Sequence, residues 1–410
     1  MPVLALLRTA LLTPIAWVIV GLLSWRQWFL TLGAASVICH EAPYRGQPVL
    51  LLALYEKGNL RPDILRLLQA ARERGFYVLA VNTLRLAAPG VLRDLVGCYI
   101  ERPNYGRDFG SYRTGFLHLY ARGWEQCCPR LLMLNDSVFF ASRGLDAFLE
   151  TMRDSPAEVL GATENHEIAH HLGSFCIAMA QRVLSAPRLI RFWKGYRLSD
   201  IRPVVIRHGE MGLSKVLAQC VSSPAQMRAL HGAARFLEEL RDHSALQDAV
   251  LGNRRRARHT PAPRLGLGSI AAQIPCHGGA HEAGIASAGD AEEIITTRDG
   301  LRDHLLRHGA PVPPDLDLLL SRAITAAATE NFMRGSQIHQ NALILVELGL
   351  PLVKLDLLYR GMFDIHDLLQ IMDKFSRSEA GELAGLLMAR PFGGQTHIGW
   401  KRAAFMRGLI

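Results

Sequence analysis

Cysteine is scarce and scattered: seven residues in 410, with no C-x-x-C spacing and a single adjacent pair, Cys127 and Cys128. That excludes a disulfide scaffold and points to a reducing compartment. Charged residues make up 20% of the chain against 49% hydrophobic ones, which excludes a disordered polymer and a coiled coil and predicts a packed core. No repeat period is evident, so a solenoid or propeller is excluded as well. At about 150 residues per domain, the length allows two to three domains. The charge that is present leans positive, at +9, and a basic balance favours anionic partners: nucleic acid, anionic lipid headgroups or phosphorylated substrates.

The N-terminus carries the longest uncharged run, TALLTPIAWVIVGLLSW between Arg8 and Arg26. As a helix, 17 residues span roughly 26 Å, short of the ~30 Å hydrocarbon core of a bilayer. Pro14 and Gly21 are tolerated in lipid, and Trp17, Trp25 and Trp28 suit the interface. No small-x-small cleavage site follows at the distance a signal peptide requires. Two readings stand: an apolar helix packed on the protein or lying in the interface, and a true anchor. Both place residues 1–47 at a membrane surface.

From residue 49 short apolar runs alternate with amphipathic stretches. VLLLALY (49–55) reads as a buried strand, RPDILRLLQAARERG (61–75) as a helix closed by Gly75, and FYVLAVN (76–82) as the next strand. The alternation continues through strands at 96–102, 130–136 and 158–164 and helices at 111–121 and 145–153. This predicts an α/β fold over 48–250, a doubly wound and mostly parallel sheet with ligands at the strands' carboxyl ends. Residues 251–292 are rich in Gly, Ala, Pro and His and read as a flexible linker or surface loop; 293–410 has helical periodicity. The basic run RRRAR at 254–258 lacks interleaved aromatics, which argues against nucleic-acid binding.

Four clusters carry candidate chemistry. In NYGRDFGS (104–111), Gly106 and Gly110 would let backbone approach a ligand, the helix amides that follow offer donors to phosphate, Arg107 adds a bidentate contact, and Asp108 holds ribose hydroxyls or orients the arginine. The plainer reading is a helix start capped by Asp108 and Ser111. The spacing differs from the dinucleotide fingerprint and from the P-loop, and the P-loop lysine is missing, which argues against a dehydrogenase or NTPase. In LLMLNDSVFF (131–140), Asn135, Asp136 and Ser137 emerge from an apolar strand. Asp136 is the best candidate for holding Mg²⁺ or Mn²⁺ with substrate phosphates, or else a polar strand end. A phosphatase nucleophile would need a second aspartate two residues on, which is absent. In HHLGSFCIAM (170–179), His171 is a phosphate or metal contact or a satisfied, partly buried histidine. In RHGEMGLSK (207–215), Glu210 is a general base or a helix cap.

The order of these motifs resembles the rhamnan synthesis protein F family of bacterial glycosyltransferases. The resemblance rests on Asn-x-Gly-Arg-Asp-x-Gly at 104–110, Asn-Asp-Ser at 135–137, His-Leu-x-Ser-Phe at 171–175, Glu-x-Gly-Leu-Ser at 210–214, and the Gly-x-Pro-x-x-Lys-x-x-Leu-Leu segment at 349–358 with His339 upstream. It covers about 48–215 and 330–372. It implies a GT-A-like transferase that moves a sugar, rhamnose being one candidate, from a nucleotide-diphosphosugar to a saccharide acceptor carried on a lipid, in polysaccharide or lipopolysaccharide synthesis. In that reading Asn104, Gly106, Arg107, Asp108, Gly110, Asn135, Ser137 and His171 bind the donor. Asp136 holds the divalent metal, with Asn135 standing where such a site has its first aspartate, and Glu210 deprotonates the acceptor hydroxyl. It also implies a place in the bacterial cytoplasm, peripheral to or anchored in the cytoplasmic membrane. The competing reading is a degenerate module of the same pathway that binds glycan and scaffolds other enzymes.

Overall fold

The computed structural model describes residues 2–242, scattered positions from 303 to 333, and 335–410 apart from 364 and 391–395. The expected linker at 251–292 and the RRRAR run lie outside the described residues. Helix α1 (Pro2–Leu30) leads to strand β1 (Val37–Glu41), and the α/β core follows: β2 (Val49–Leu54), α2 (Pro62–Glu73), β3 (Tyr77–Asn82), β4 (Cys98–Glu101), α3 (Arg107–Ala121), β5 (Arg130–Asn135), β6 (Val138–Phe140), α4 (Leu145–Asp154), β7 (Val159–Asn165), β8 (His171–Leu172) and β9 (Cys176–Ala180). Then come α5 (Gln181–Leu184), α6 (Pro187–Gly195), α7 (Arg202–Val205), a π-helical turn over Ile206–Glu210, α8 (Met211–Cys220), β10 (Met227–His231) and α9 (Ala233–Asp242).

The central sheet runs β1-β4-β3-β2-β5-β9-β7-β10, with β8 beside β7. Strands β4, β3, β2 and β5 are mutually parallel, as is the pair β7 and β10. The sheet is therefore mixed α/β and largely parallel, with three antiparallel insertions: β1 on β4, β8 on β7, and β9 between β5 and β7. Alternation along β2 shows how it is covered. Leu50, Leu52 and Leu54 pack with Ile64, Leu67 and Leu68 of α2, while Val49, Leu51 and Ala53 pack with Phe109, Tyr112 and Phe116 of α3. Every β2 residue is buried, as a strand with helices on both faces requires. From β2 the chain winds outward through β3 to β4, then returns to the other side of β2 as β5. The strand order reverses there, opening a crevice at the carboxyl ends of β2 and β5.

The C-terminal region is helical as expected, with helices at Gln337–Gln340, Ala342–Glu347, Leu357–Arg360, Ile365–Met372, Arg377–Met388 and Gly399–Met406. It also contributes one strand, β11 (Leu352–Lys354), which pairs antiparallel with β6 so that Lys354 lies opposite Val138. Phe139, Leu343, Val353, Leu357 and Leu383 form a shared core, so the described part of this region packs directly on the α/β unit, while the boundary expected at 292/293 lies outside the described residues. The N-terminal segment packs on other parts of the chain as well. Ala16 and Val20 of α1 pack against Ala403, Ala404 and Leu409, and β1 joins the sheet. The outer face of α1 leaves Trp17, Val18, Leu22, Trp25, Trp28 and Phe29 exposed. Among the described residues no helix is long and apolar enough to cross a membrane.

Helix α3 lies close on the sheet because Gly115 faces Leu51: a Cβ there would stand 2.2 Å from Leu51 Cδ1. Gly115→Val is expected to destabilise the chain by about 1–3 kcal/mol through overpacking, read as a lower urea midpoint with an unchanged slope.

Candidate functional site

The loop entering α3 is held from below by Arg102, a buried residue just past β4. Its guanidinium donates to the carbonyls of Pro103 (2.8 Å), Tyr105 (2.6 Å) and Arg107 and to Ser111 Oγ (2.9 Å). Burial lowers its pKa to about 10, against the opposing pull of Asp108 and Asp200. The missing side chain of Gly110 makes room for this guanidinium, since a Cβ would stand 2.6 Å from it; the close approach expected there for a ligand is taken by Arg102. Gly106 (φ 92°) and Arg107 (φ 52°) are consecutive left-handed residues, and Arg107 is the one non-glycine residue with positive φ among those described. The turn is pinned by Asp200, whose Oδ1 accepts from Gly106 N at 2.6 Å. Arg107 points out and is exposed. The Asn104 carbonyl accepts from Gln27 of α1 at 2.8 Å, tying the N-terminal helix to the loop. No side chain caps α3: Ser111 serves Arg102, and Asp108 turns toward β5.

At the end of β5, Asn135 Nδ2 donates to Asp108 Oδ2 at 3.0 Å, and Asn135 Oδ1 accepts from Ser137 N at 3.2 Å and from the Ser137 hydroxyl. Asp136 spans the crevice. Its N–H donates to the Ala53 carbonyl (3.1 Å), its carboxylate accepts from Tyr55 N, and its carbonyl accepts from Arg61 Nη1 at 2.9 Å. Burial raises the Asp136 pKa to about 6, with the Tyr55 N–H and Arg61 pulling it down and Asp108 pushing it further up. Its neighbour Glu56 is raised to about 7, again chiefly by burial, despite Arg61 at 3.5 Å.

Strand β11 brings Lys354 to the same place, where Nζ donates to Ser137 Oγ at 2.6 Å. Burial depresses the Lys354 pKa; Asp356, Asp108 and Glu210 work against that. Across from it, Glu210 ends the π-helical turn with helical backbone (φ −61°, ψ −57°) and caps nothing, because α7, the π turn and α8 run on continuously. π-Helical bulges of this kind often mark functional positions. The Glu210 carboxylate lies 3.8 Å from Nε2 of the buried His171, whose Nδ1 donates to the Ala169 carbonyl at 2.7 Å. Burial opposes the charge on each partner. It is outweighed in Glu210 by His171, Lys354 and Arg202, so its pKa is lowered, and in His171 by Glu210 and the Ala169 carbonyl, so its pKa is raised. Asp356 accepts from Arg360 Nε (2.6 Å) and is bonded to His339 Nε2 (3.1 Å), which hold it well below the usual carboxylate range against burial.

Asp108, Asn135, Ser137 and Lys354 thus form one hydrogen-bonded chain beside Asp136, and the His171–Glu210 pair is electrostatically coupled to its lysine. Arg202, which feels Arg107, Arg360, Asp356 and Glu210, adds a further cation. Sequence reasoning did not single out Arg202, Arg102, Arg61, Glu56, Asp200 or Asp356, and it had Lys354 only as a letter in a motif. Among the described residues Asp136 belongs to no group of three His, Cys, Asp or Glu side chains at ligand spacing. Such a donor set suits a hard cation held jointly with phosphate oxygens rather than one caged by protein.

No family model matches the chain. It is similar to the uncharacterized protein y4gN of Sinorhizobium fredii, 28% identical over 171 residues covering 40% of this chain and 44% of that protein. It is also similar to the virulence protein VirA of Vibrio anguillarum, 26% identical over 155 residues covering 36% of this chain and 48% of VirA. The matches span less than half the length of either relative.

A carboxyl whose folded pKa is raised to about 6 subtracts stability as pH climbs from its unfolded value near 4, because ionisation costs more inside than out. Asp136→Asn keeps an oxygen for Tyr55 N and removes that cost. In urea melts it should gain about 1 kcal/mol more over the native chain at pH 8 than at pH 5. An equal effect at both values would contradict the buried-carboxyl account.

Proposed function

We propose that this chain is a GT-A-like glycosyltransferase that moves a sugar from a nucleotide-diphosphosugar to a saccharide acceptor. The observation that carries the reading is a glutamate with its pKa lowered beside a histidine, electrostatically coupled to half-buried cations near the point where the strand order reverses. In the transfer, the acceptor oxygen bonds to the anomeric carbon, the bond from that carbon to the phosphate oxygen breaks, and the nucleotide diphosphate departs with the electron pair. Glu210, its pKa lowered beside His171, takes the acceptor proton. Lys354, Arg202 and the exposed Arg107 meet the growing charge on the diphosphate, a stabilisation that preorganised cations supply at low cost. Asp136 would hold Mg²⁺ or Mn²⁺ with the donor phosphates, and the ion would add further charge neutralisation there.

The order of motifs shared with the rhamnan synthesis protein F family supports the same class and a role in cell-surface polysaccharide or lipopolysaccharide synthesis. The tryptophans and aliphatic side chains on the outer face of α1 suit a membrane interface. In this reading the acceptor is carried on a lipid at the cytoplasmic face of a bacterial membrane. One observation favours a second reading, a degenerate module that binds glycan and scaffolds other enzymes: Asn135 stands in place of an aspartate, and its amide is fully engaged by Asp108 and Ser137.

Release of nucleotide diphosphate from a panel of nucleotide-sugar donors, with added Mg²⁺ or Mn²⁺ and saccharide acceptor, separates the two readings; no turnover with any donor would leave the scaffold. With a productive donor, Glu210→Gln should cut kcat by about 10²- to 10⁴-fold and leave donor affinity within a few-fold. Lys354→Met and Arg107→Ala should instead weaken donor binding by about 1.5–3 kcal/mol each, measured by calorimetry on folded protein. A Glu210→Gln enzyme with undiminished turnover would remove Glu210 as the base.

A further inference from the structure

At the carboxyl end of β7, apart from the residues assigned above, Glu164, His166 and His170 turn their ligating atoms toward one another, all within 4.8 Å. We propose that these three side chains form a binding site for a zinc-type divalent cation. The carboxylate is prepositioned: Glu164 Oε1 accepts from Ala233 N at the start of α9 at 2.9 Å, and Gly232 leaves the space, since a Cβ there would stand 2.6 Å from that oxygen. The other oxygen, Oε2, faces both imidazoles, with His170 Nε2 at 2.6 Å and His166 Nε2 at 3.6 Å. His166 Nε2 is buried and has no hydrogen-bond partner. A buried imidazole nitrogen aimed at a carboxylate but too far to bond it is the arrangement a cation between them would satisfy.

The loop is shaped to return both histidines to the strand end. Asn165 Oδ1 accepts from Glu167 N (2.8 Å), His166 N donates to the Gly335 carbonyl (2.8 Å), and the pairing of Asn165 with His171 brings residue 170 back beside β7. Two imidazoles and one carboxylate are the borderline donor set that Zn²⁺ prefers over Mg²⁺ or Ca²⁺. Tetrahedral binding at about 2.0–2.2 Å sets ligand edges of about 3.4 Å. The His170–Glu164 contact opens by less than 1 Å to meet this. His170 is 57% exposed, so the ion can enter from solution and a fourth position stays open to water. Binding would clamp the 165–170 loop, which leads directly into His171, to α9 and to the C-terminal segment at Gly335.

The test uses the full chain, stripped with chelator and titrated with Zn²⁺ against a chromophoric competitor. The native chain is expected to take up one equivalent that the His166→Ala/His170→Ala double variant lacks, and single loss of either imidazole should weaken that equivalent by about 100-fold or more. Glu164→Gln should weaken it at least about tenfold, while His40→Ala, on a distant strand, should leave it unchanged. Co²⁺ bound in place of Zn²⁺ should give the visible absorption of a tetrahedral ion, absent from the double variant. Because His170 is exposed, His170→Gln provides a folded control, checked by circular dichroism. If the native chain and the double variant bind Zn²⁺ with the same stoichiometry and affinity, the cluster is only a hydrogen-bonded ion pair and the proposal fails.

Discussion

Asp136 leaves β5 with its N–H on the Ala53 carbonyl and its carboxylate on the Tyr55 N–H, so the ends of β2 and β5 are fastened to each other by one residue. That fastening defines the crevice. Arg61 reaches over from the start of α2 to hold the carbonyls of Asp136 and Val138, and it is itself oriented by Asp63 through two bonds of 3.0 Å. On the far side, Asn135 N donates to the Phe175 carbonyl, which brings the chain leading into β9 against the same strand end. Burial then raises the Asp136 and Glu56 carboxyls, and the protein tolerates the cost because the backbone around them is fully bonded.

The crevice is finished by parts of the chain remote from that point. Lys354 comes from β11, more than two hundred residues beyond Ser137, and is admitted because β6 offers a free edge and Phe139 and Val353 share a core. Glu210 comes from a π-helical turn whose extra residue keeps its side chain out of any capping role. The result is a short chain of charge running Asp136, Asp108, Lys354, Glu210, His171, in which burial sets the direction of the shift at Asp136 and Lys354 and charged neighbours set it at Glu210 and His171.

Much of the scaffold was legible in the residues. The runs VLLLAL and RLLMLN are too apolar to be anything but strands buried on both faces, and Gly75, with φ 75°, ends the second helix where its lack of a side chain predicts. The clusters at 104–111 and 135–137 stand where a helix begins and a strand ends, whereas His171 opens β8 and Glu210 lies within a continuous helical run; the fold brings them to one edge of the sheet. The roles within them were less legible. Gly110 reads as an opening for ligand, and the space its missing side chain leaves holds Arg102; Asp108 reads as a ribose contact, an orienter of Arg107 or a cap, and it accepts from Asn135. A local pattern shows that a position needs a small or polar residue, and says nothing about which distant group meets it.

The sequence by itself determined the alternation of strands and helices, the burial of the sheet, and the concentration of unusual residues at strand ends, because periodicity and turn chemistry are properties of neighbouring residues. Only the tertiary structure decided that β9 enters antiparallel between β5 and β7, that β11 carries Lys354 to Ser137, that Arg202 faces Glu210, and that Glu164 meets two histidines across a loop. Those pairings join residues far apart in the chain or turned by loop geometry. Their energy comes from burial and electrostatics that exist only once the sheet has closed around them, whether the partners lie far apart in the chain or, as Glu164 and His170 do, across one loop.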